Sequence, residues 1–174
     1  MYQKIIEYAE ALDKISRERR RDFHRYPETA WLEMRTSAVI AKVLTELGYE
    51  VLTGKDVCLE SSRLGVPSSE ELKEHAERAL LQGAPAEYLT EEMRAGFTGV
   101  IGILRCGEGP VTALRFDIDA LGLTEDENVN HRPFAEGFAS RNPGMMHGCG
   151  HDGHAAIGLG VAEVLMKIKD GLHG

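Results

Sequence analysis

Long apolar runs are missing from this 174-residue sequence. No stretch approaches the roughly 20 apolar residues that a bilayer-spanning helix requires, so a membrane protein is not expected. The first residues, Met1-Tyr2-Gln3-Lys4-Ile5-Ile6-Glu7, include an acidic residue and no apolar core segment. No secretory signal is read there, and a cytoplasmic protein is expected. Cysteine is scarce and odd in number, with Cys58, Cys106 and Cys149, so a disulfide framework is not expected. Basic residues are outnumbered, 20 Lys and Arg against 28 Asp and Glu. The net charge of -8 opposes attraction to phosphate backbones, and nucleic acid is not expected as a partner. No repeat or low-complexity tract is visible, and Gly158-Leu159-Gly160 lacks the third glycine and preceding strand of a dinucleotide fingerprint. What remains, 43% hydrophobic and 28% charged residues, is an ordinary globular balance, sized for one domain or the first piece of a larger one.

Residues 2–24 carry apolar positions at Ile5, Tyr8, Leu12 and Ile15, a helical stripe with charges between. After Pro27 a second helix is predicted over about 30–47, with Val39, Ile40, Val43, Leu44 and Leu47 on its apolar face and Gly48 at its end. Tyr49 to Thr53 is a short strand candidate. From about 54 to 96 the chain is polar and helical, and it is expected to be an insertion. Ser68-Ser69-Glu70-Glu71 fits a capping box, Gly83 ends that helix, and a second runs from near Pro85 to Gly96. A surface helical hairpin and a substrate-specificity element are both open readings. Residues 100–106 and 111–118 read as strands joined by Gly107-Glu108-Gly109-Pro110, a connection short enough to require an antiparallel hairpin within a mixed sheet. A loop of some thirty residues follows Ala120, a length that in a compact domain usually means a functional or a disordered segment. A last helix is predicted over about 152–170, ending at Gly171.

Metal-type side chains concentrate in Met146-His147-Gly148-Cys149-Gly150-His151-Asp152-Gly153-His154. Thiolate and imidazole are the preferred ligands of zinc and its neighbours. In extended backbone Cys149 and His151 would address one site, with Asp152 or His154 orienting a ligand from behind. A bland alternative leaves the histidines solvated and Asp152 capping the following helix. Cys149 as a nucleophile with His151 as base is a further reading, weakened because side chains two apart in extended chain point the same way without facing each other. The second constellation is Asp117-Ile118-Asp119, two carboxylates at the end of an apolar segment. They could bind a metal, hold a ligating imidazole, or serve only as turn chemistry. Cys58 and Cys106 read as ordinary thiols.

Three segments, Arg21-Asp22-Phe23-His24-Arg25-Tyr26-Pro27-Glu28, Asp117-Ile118-Asp119-Ala120-Leu121 and Met146 to His154, together resemble the N-terminal signatures of M20-type metal-dependent amidohydrolases, in order. The 54–96 insertion and the runs Asn130 to Pro133 and Gly137 to Ser140 resemble the branch of that family that cleaves aminobenzoyl-glutamates. The resemblance implies that Cys149 and His151 are metal ligands and that Asp119 supports the catalytic site. It implies one or two divalent ions, Mn2+ or Zn2+, which polarise an amide carbonyl and activate water. The implied substrate is a small N-acyl amino acid such as p-aminobenzoyl-glutamate, and the implied assembly is a homo-oligomer or a hetero-oligomer with a related chain. The family's paired glutamates, later histidine ligands and lid domain find no counterpart in residues 1–174. The expected architecture is therefore α/β: an incomplete α/β/α sandwich with a mixed sheet, the N-terminal part of a zinc-exopeptidase-like catalytic domain. The chain alone is expected to show at most residual activity; the alternative is a non-catalytic metal-binding fragment or module.

Overall fold

A computed structural model describes residues 2–174. Two helices open the chain, α1 over Tyr2–Ala11 and α2 over Asp13–Arg25, broken at Leu12 rather than continuous. Helix α3 spans Met34–Leu47 and starts four residues later than the periodicity suggests. The reason is the buried Glu28 carboxylate, which accepts the backbone N–H groups of Arg35 and Thr36 and the Thr36 hydroxyl. An anionic acceptor on the free N–H groups of a first turn stabilises a helix start. Trp31 stands just before it with φ of 67°, a left-handed conformation rare for a bulky residue.

Strand β1, Glu50–Thr53, pairs antiparallel with β2, Val100–Ile103, with Glu50 opposite Ile103 and Thr53 opposite Val100. Between them lie α4, Ser69–Leu81, and the single turn of α5, Glu91–Arg94. The Ser68 and Thr90 side chains accept the N–H groups of Glu71 and Met93 to cap them. The second helix of this segment is thus much shorter than the expected Pro85-to-Gly96 run. The segment also has a core-facing side. Leu72, Ala76, Ala79, Leu89 and Met93 pack with Leu32, Met34, Ala38 and Ala41 into one buried cluster against α3.

The predicted hairpin of 100–106 with 111–118 does not form: β2 takes β1 as its partner, and residues 111–118 belong to no ladder among the described residues. The Cys106 N–H instead donates to the Gly174 carbonyl at 2.7 Å, and Gly109 lies against Gly174, so the connecting turn is held by the last residues. Val111 is 96% exposed as a result. The sheet is two-stranded and antiparallel rather than mixed, with one parallel bridge, Thr29 to Ala120, outside it.

The chain from Ala120 to Gly150 contains the short helix α6, Arg132–Ala135, and is pinned at its base by the antiparallel bridge Leu121 to Met146. Helix α7, His151–Ile168, then packs against α2 and α3, burying Ala155, Leu159 and Ala162 with Phe23 and Leu44. Burying a leucine- or phenylalanine-sized side chain contributes about 1.5–3 kcal/mol, so this second cluster holds the body of α7 against α2 and α3. Segment 116–118 runs along α7, with Ile118 against the same cluster. The Phe116 ring sits so close to Gly158 that an added Cβ would stand 2.9 Å from it, which is why that helix face carries no side chain there.

Candidate metal centre

The first residue of α7 is His151. Gly150, in the left-handed region at φ of 83°, turns the chain from the 147–149 segment into the helix. That turn removes the extended backbone on which the shared facing of Cys149 and His151 was expected. Cys149 is an exposed free thiol. The side chains brought together are Asp117, His151 and His154, whose potential ligand atoms all lie within 4.8 Å of one another. His151 and His154, three residues apart on one helix face, stack with ring centroids 5.1 Å apart. His154 Nδ1 lies 4.0 Å from an Asp117 carboxylate oxygen, and the Arg115 guanidinium pairs with the same carboxylate.

Asp119 faces His151. The His151 Nδ1 lies 3.0 Å from both the Asp119 carboxylate and the Asp119 carbonyl. Both groups accept, so Nδ1 is the donor, and of the two neutral tautomers this contact selects the one whose Nε2 holds the lone pair. This is the tautomer a nitrogen ligand to zinc or manganese requires, and a carboxylate on the far nitrogen is how proteins usually enforce it. One carboxylate and two imidazoles form a donor set suited to a zinc- or manganese-type ion, and three protein ligands is the usual number at a catalytic zinc. The residues present therefore fit a divalent cation.

Behind the cluster lies a buried polar network that sequence reasoning missed. His24, 3% exposed on α2, places Nδ1 at 2.9 Å from Asp152 and Nε2 at 2.8 Å from Glu125. A neutral imidazole has one N–H and one lone pair, so two carboxylate acceptors on its two nitrogens make His24 an imidazolium. Burial alone would lower its pKa, but the bonds to Asp152 and Glu125 outweigh burial and raise it. The same balance acts in reverse on the acids. Burial pushes the Asp152 carboxyl up, while His24, the Gly153 N–H and Arg20 bring it below its ordinary value. Glu125 is lowered likewise, against burial, by His24, the Ser140 N–H and His131. Arg20 Nε donates to Asp152 at 3.0 Å. His147, buried beside them, has no partner on either ring nitrogen, and burial pushes its pKa down to about 4, which keeps it neutral. The available signal was Phe23-His24 in the last turn of α2, where a histidine follows a core phenylalanine.

The profile of the family described as Peptidase family M20/M25/M40 matches residues 113–173, the segment that holds Asp117, Asp119, Cys149, His151 and His154. A p-aminobenzoyl-glutamate hydrolase subunit from Escherichia coli (strain K12) is 51% identical over 156 residues, 89% of this chain and 36% of that protein. Over residues 113–173 the chain is similar to the M20 family. An indole-3-acetyl-aspartic acid hydrolase from Enterobacter agglomerans is 50% identical over the same shares. Among solved structures, the crystal structure of an aminobenzoyl-glutamate utilization protein from Klebsiella pneumoniae superposes with a TM-score of 0.78. It is 37% identical, and the match covers 98% of this chain and 36% of that one. The chain thus spans about a third of the length of these relatives, and its helix-rich architecture with a small antiparallel sheet is consistent with part of an α/β domain. No helix among the described residues is long and apolar enough to cross a membrane.

Proposed function

We propose that the protein is a metal-dependent amidohydrolase acting on an N-acyl amino acid, and that this chain is the N-terminal part of its α/β/α catalytic domain, with residues 54–96 as an insertion. The observation that carries this reading is the His151 imidazole, held by Asp119 at Nδ1 and grouped with Asp117 and His154, the potential ligand atoms of the three within 4.8 Å of one another. A divalent ion there, zinc or manganese, would supply Lewis-acid polarisation of an amide carbonyl. The chain's own residues do the rest. His151 is the central ligand, Asp117 and His154 flank it, and Cys149 is a further donor from the exposed approach to α7. Asp119 orients His151 and, as a carboxylate, raises the basicity of its free nitrogen.

Two relatives are named for hydrolysis of an aromatic acyl group joined to an acidic amino acid, p-aminobenzoyl-glutamate in one and indole-3-acetyl-aspartic acid in the other. An amide of that class is the proposed substrate. The E. coli relative is named as one subunit of its enzyme, which supports assembly with a related chain, and the proposed location is cytoplasmic. The test is release of p-aminobenzoate from p-aminobenzoyl-glutamate by the protein that carries this chain. Turnover is expected with Mn2+ or Zn2+, and loss of it in chelator and on His151→Ala. Turnover that persists in chelator overturns the metal dependence. A metal-loaded protein that cleaves neither p-aminobenzoyl-glutamate nor indole-3-acetyl-aspartic acid overturns the amidohydrolase reading.

A further inference from the structure

His24 has no part in the donor set, yet its two hydrogen bonds join the two pieces of chain that meet at the candidate metal centre. On one side is Asp152, 0% exposed and adjacent to His151 in the first turn of α7. On the other is Glu125, whose second oxygen accepts the Ser140 N–H and whose first also meets His131 Nε2 at 2.8 Å. Glu125 therefore gathers three points of the 121–150 segment, the segment that delivers His147, Cys149 and Gly150 to the helix. That segment has few buried apolar side chains; Phe138 is one, and its ring lies edge-on to His24 at 5.5 Å. Its position is thus set mainly by buried polar bonds. Successive residues of a helix point about 100° apart, so clamping Asp152 toward α2 fixes the roll of the first turn and with it the direction of His151 toward Asp119.

We propose that His24 is a positioning residue for the candidate metal centre: by bridging Asp152 and Glu125 it locks the first turn of α7 to the 121–150 segment and fixes the direction in which His151 presents Nε2. The proposal rests on the metal-site reading above. A polar partner behind a metal ligand commonly governs 10- to 100-fold in metal affinity, and His24 stands one step further back, acting through Asp152 and the helix start. The charge pattern explains why the bridge is a histidine. Two buried carboxylates need a cation with two opposed donors in one plane, and an imidazolium supplies them with less lost side-chain freedom than lysine.

The test uses the 174-residue chain and Co2+ as the metal probe, followed by its visible absorption. His24→Ala is expected to lower Co2+ affinity by roughly tenfold or more. Arg19→Ala, which removes the Arg19–Glu163 ion pair on the same α2–α7 interface, is the structural control and is expected to leave Co2+ affinity unchanged. Because His24→Ala can unfold the chain, Glu125→Gln, which keeps the shape and removes one charge of the bridge, is measured beside it and is expected to weaken Co2+ in the same direction. A second readout needs no metal. Nitrogen-15 spectra of the His151 ring should show the Nδ1–H tautomer in the unaltered chain and a mixture of tautomers in the variants. Co2+ affinity and tautomer unchanged in a folded His24 or Glu125 variant overturn the proposal, as does an equal loss of affinity in Arg19→Ala. Absence of Co2+ binding by the unaltered chain would instead overturn the metal-site reading, and the proposal for the metal centre with it.

Discussion

Glu33 offers a quantitative test of the core that carries the site. Its carboxyl is 7% exposed at the start of α3 and accepts the Thr98 hydroxyl at 2.6 Å. Burial, reinforced by the charges of Glu28 and Asp119 and opposed by the Thr98 bond, pushes its pKa up to about 7 from 4.5. A raised folded-state pKa means that the folded chain holds a proton the unfolded chain has released. The associated stability is fully present below pH 4.5 and is lost as pH rises to about 7. A rise from 4.5 to about 7, at about 1.36 kcal/mol for each pH unit, amounts to about 3 kcal/mol. Glu33→Gln removes the titration while keeping an acceptor for Thr98. Any constant cost of exchanging the carboxyl for an amide is the same at every pH and drops out of the pH dependence. Urea unfolding of both proteins from pH 4 to pH 9 isolates the effect. The stability of the variant minus that of the unaltered chain should climb by about 3 kcal/mol between pH 4.5 and about 7 and then level off. A difference that stays flat across that window would refute the assignment of a buried, protonated Glu33, and with it the close packing of α3 against the Thr98 segment.

Three further outcomes are expected. Asp119→Ala should lower Co2+ or Zn2+ affinity of the chain by roughly 10- to 100-fold without unfolding it, read by metal titration beside circular dichroism. Met93→Ala, at a fully buried position in α5, should cost about 2–5 kcal/mol in urea unfolding; a negligible cost would mean that residues 54–96 are an appendage and not part of the core. Gly158→Val would force a side chain into the Phe116 ring and should cost about 1–3 kcal/mol, seen as a lowered thermal midpoint.

What the sequence made legible follows from how local each signal is. Helices α2, α3, α4 and α7 are written in side-chain periodicity, and the cap at Ser68 is a four-residue pattern, so both could be read without tertiary information. The partner of β2 could not. Pairing with Glu50–Thr53 or with 111–118 satisfies the same local pattern, and the contact of Cys106 with Gly174 spans 68 residues. Likewise the short α5 hides behind Pro85 and Thr90, either of which can open a helix; only Thr90 does so here.

The site divides along the same line. His151 and Asp119 were legible because one sits in a dense cluster of ligand-type residues and the other in a pair of carboxylates after an apolar segment, and the fold brings the two within a hydrogen bond. The third and fourth members were not separable in advance. Choosing between Cys149 and His154 as neighbours of His151 depends on one dihedral, that of Gly150. In extended backbone Cys149 would share the face of His151; with Gly150 left-handed, α7 begins at His151 and the helical repeat of three hands that face to His154. A glycine leaves both conformations open at little cost, so composition carries no preference between them. The preference comes from elsewhere in the chain: Asp152, the next residue after His151, can be buried against His24 and Arg20 only when the helix has already started. The identity of the residues around His151 is therefore decided by a polar contact with α2, more than a hundred residues away in sequence, which is why the cluster was visible and its geometry was not.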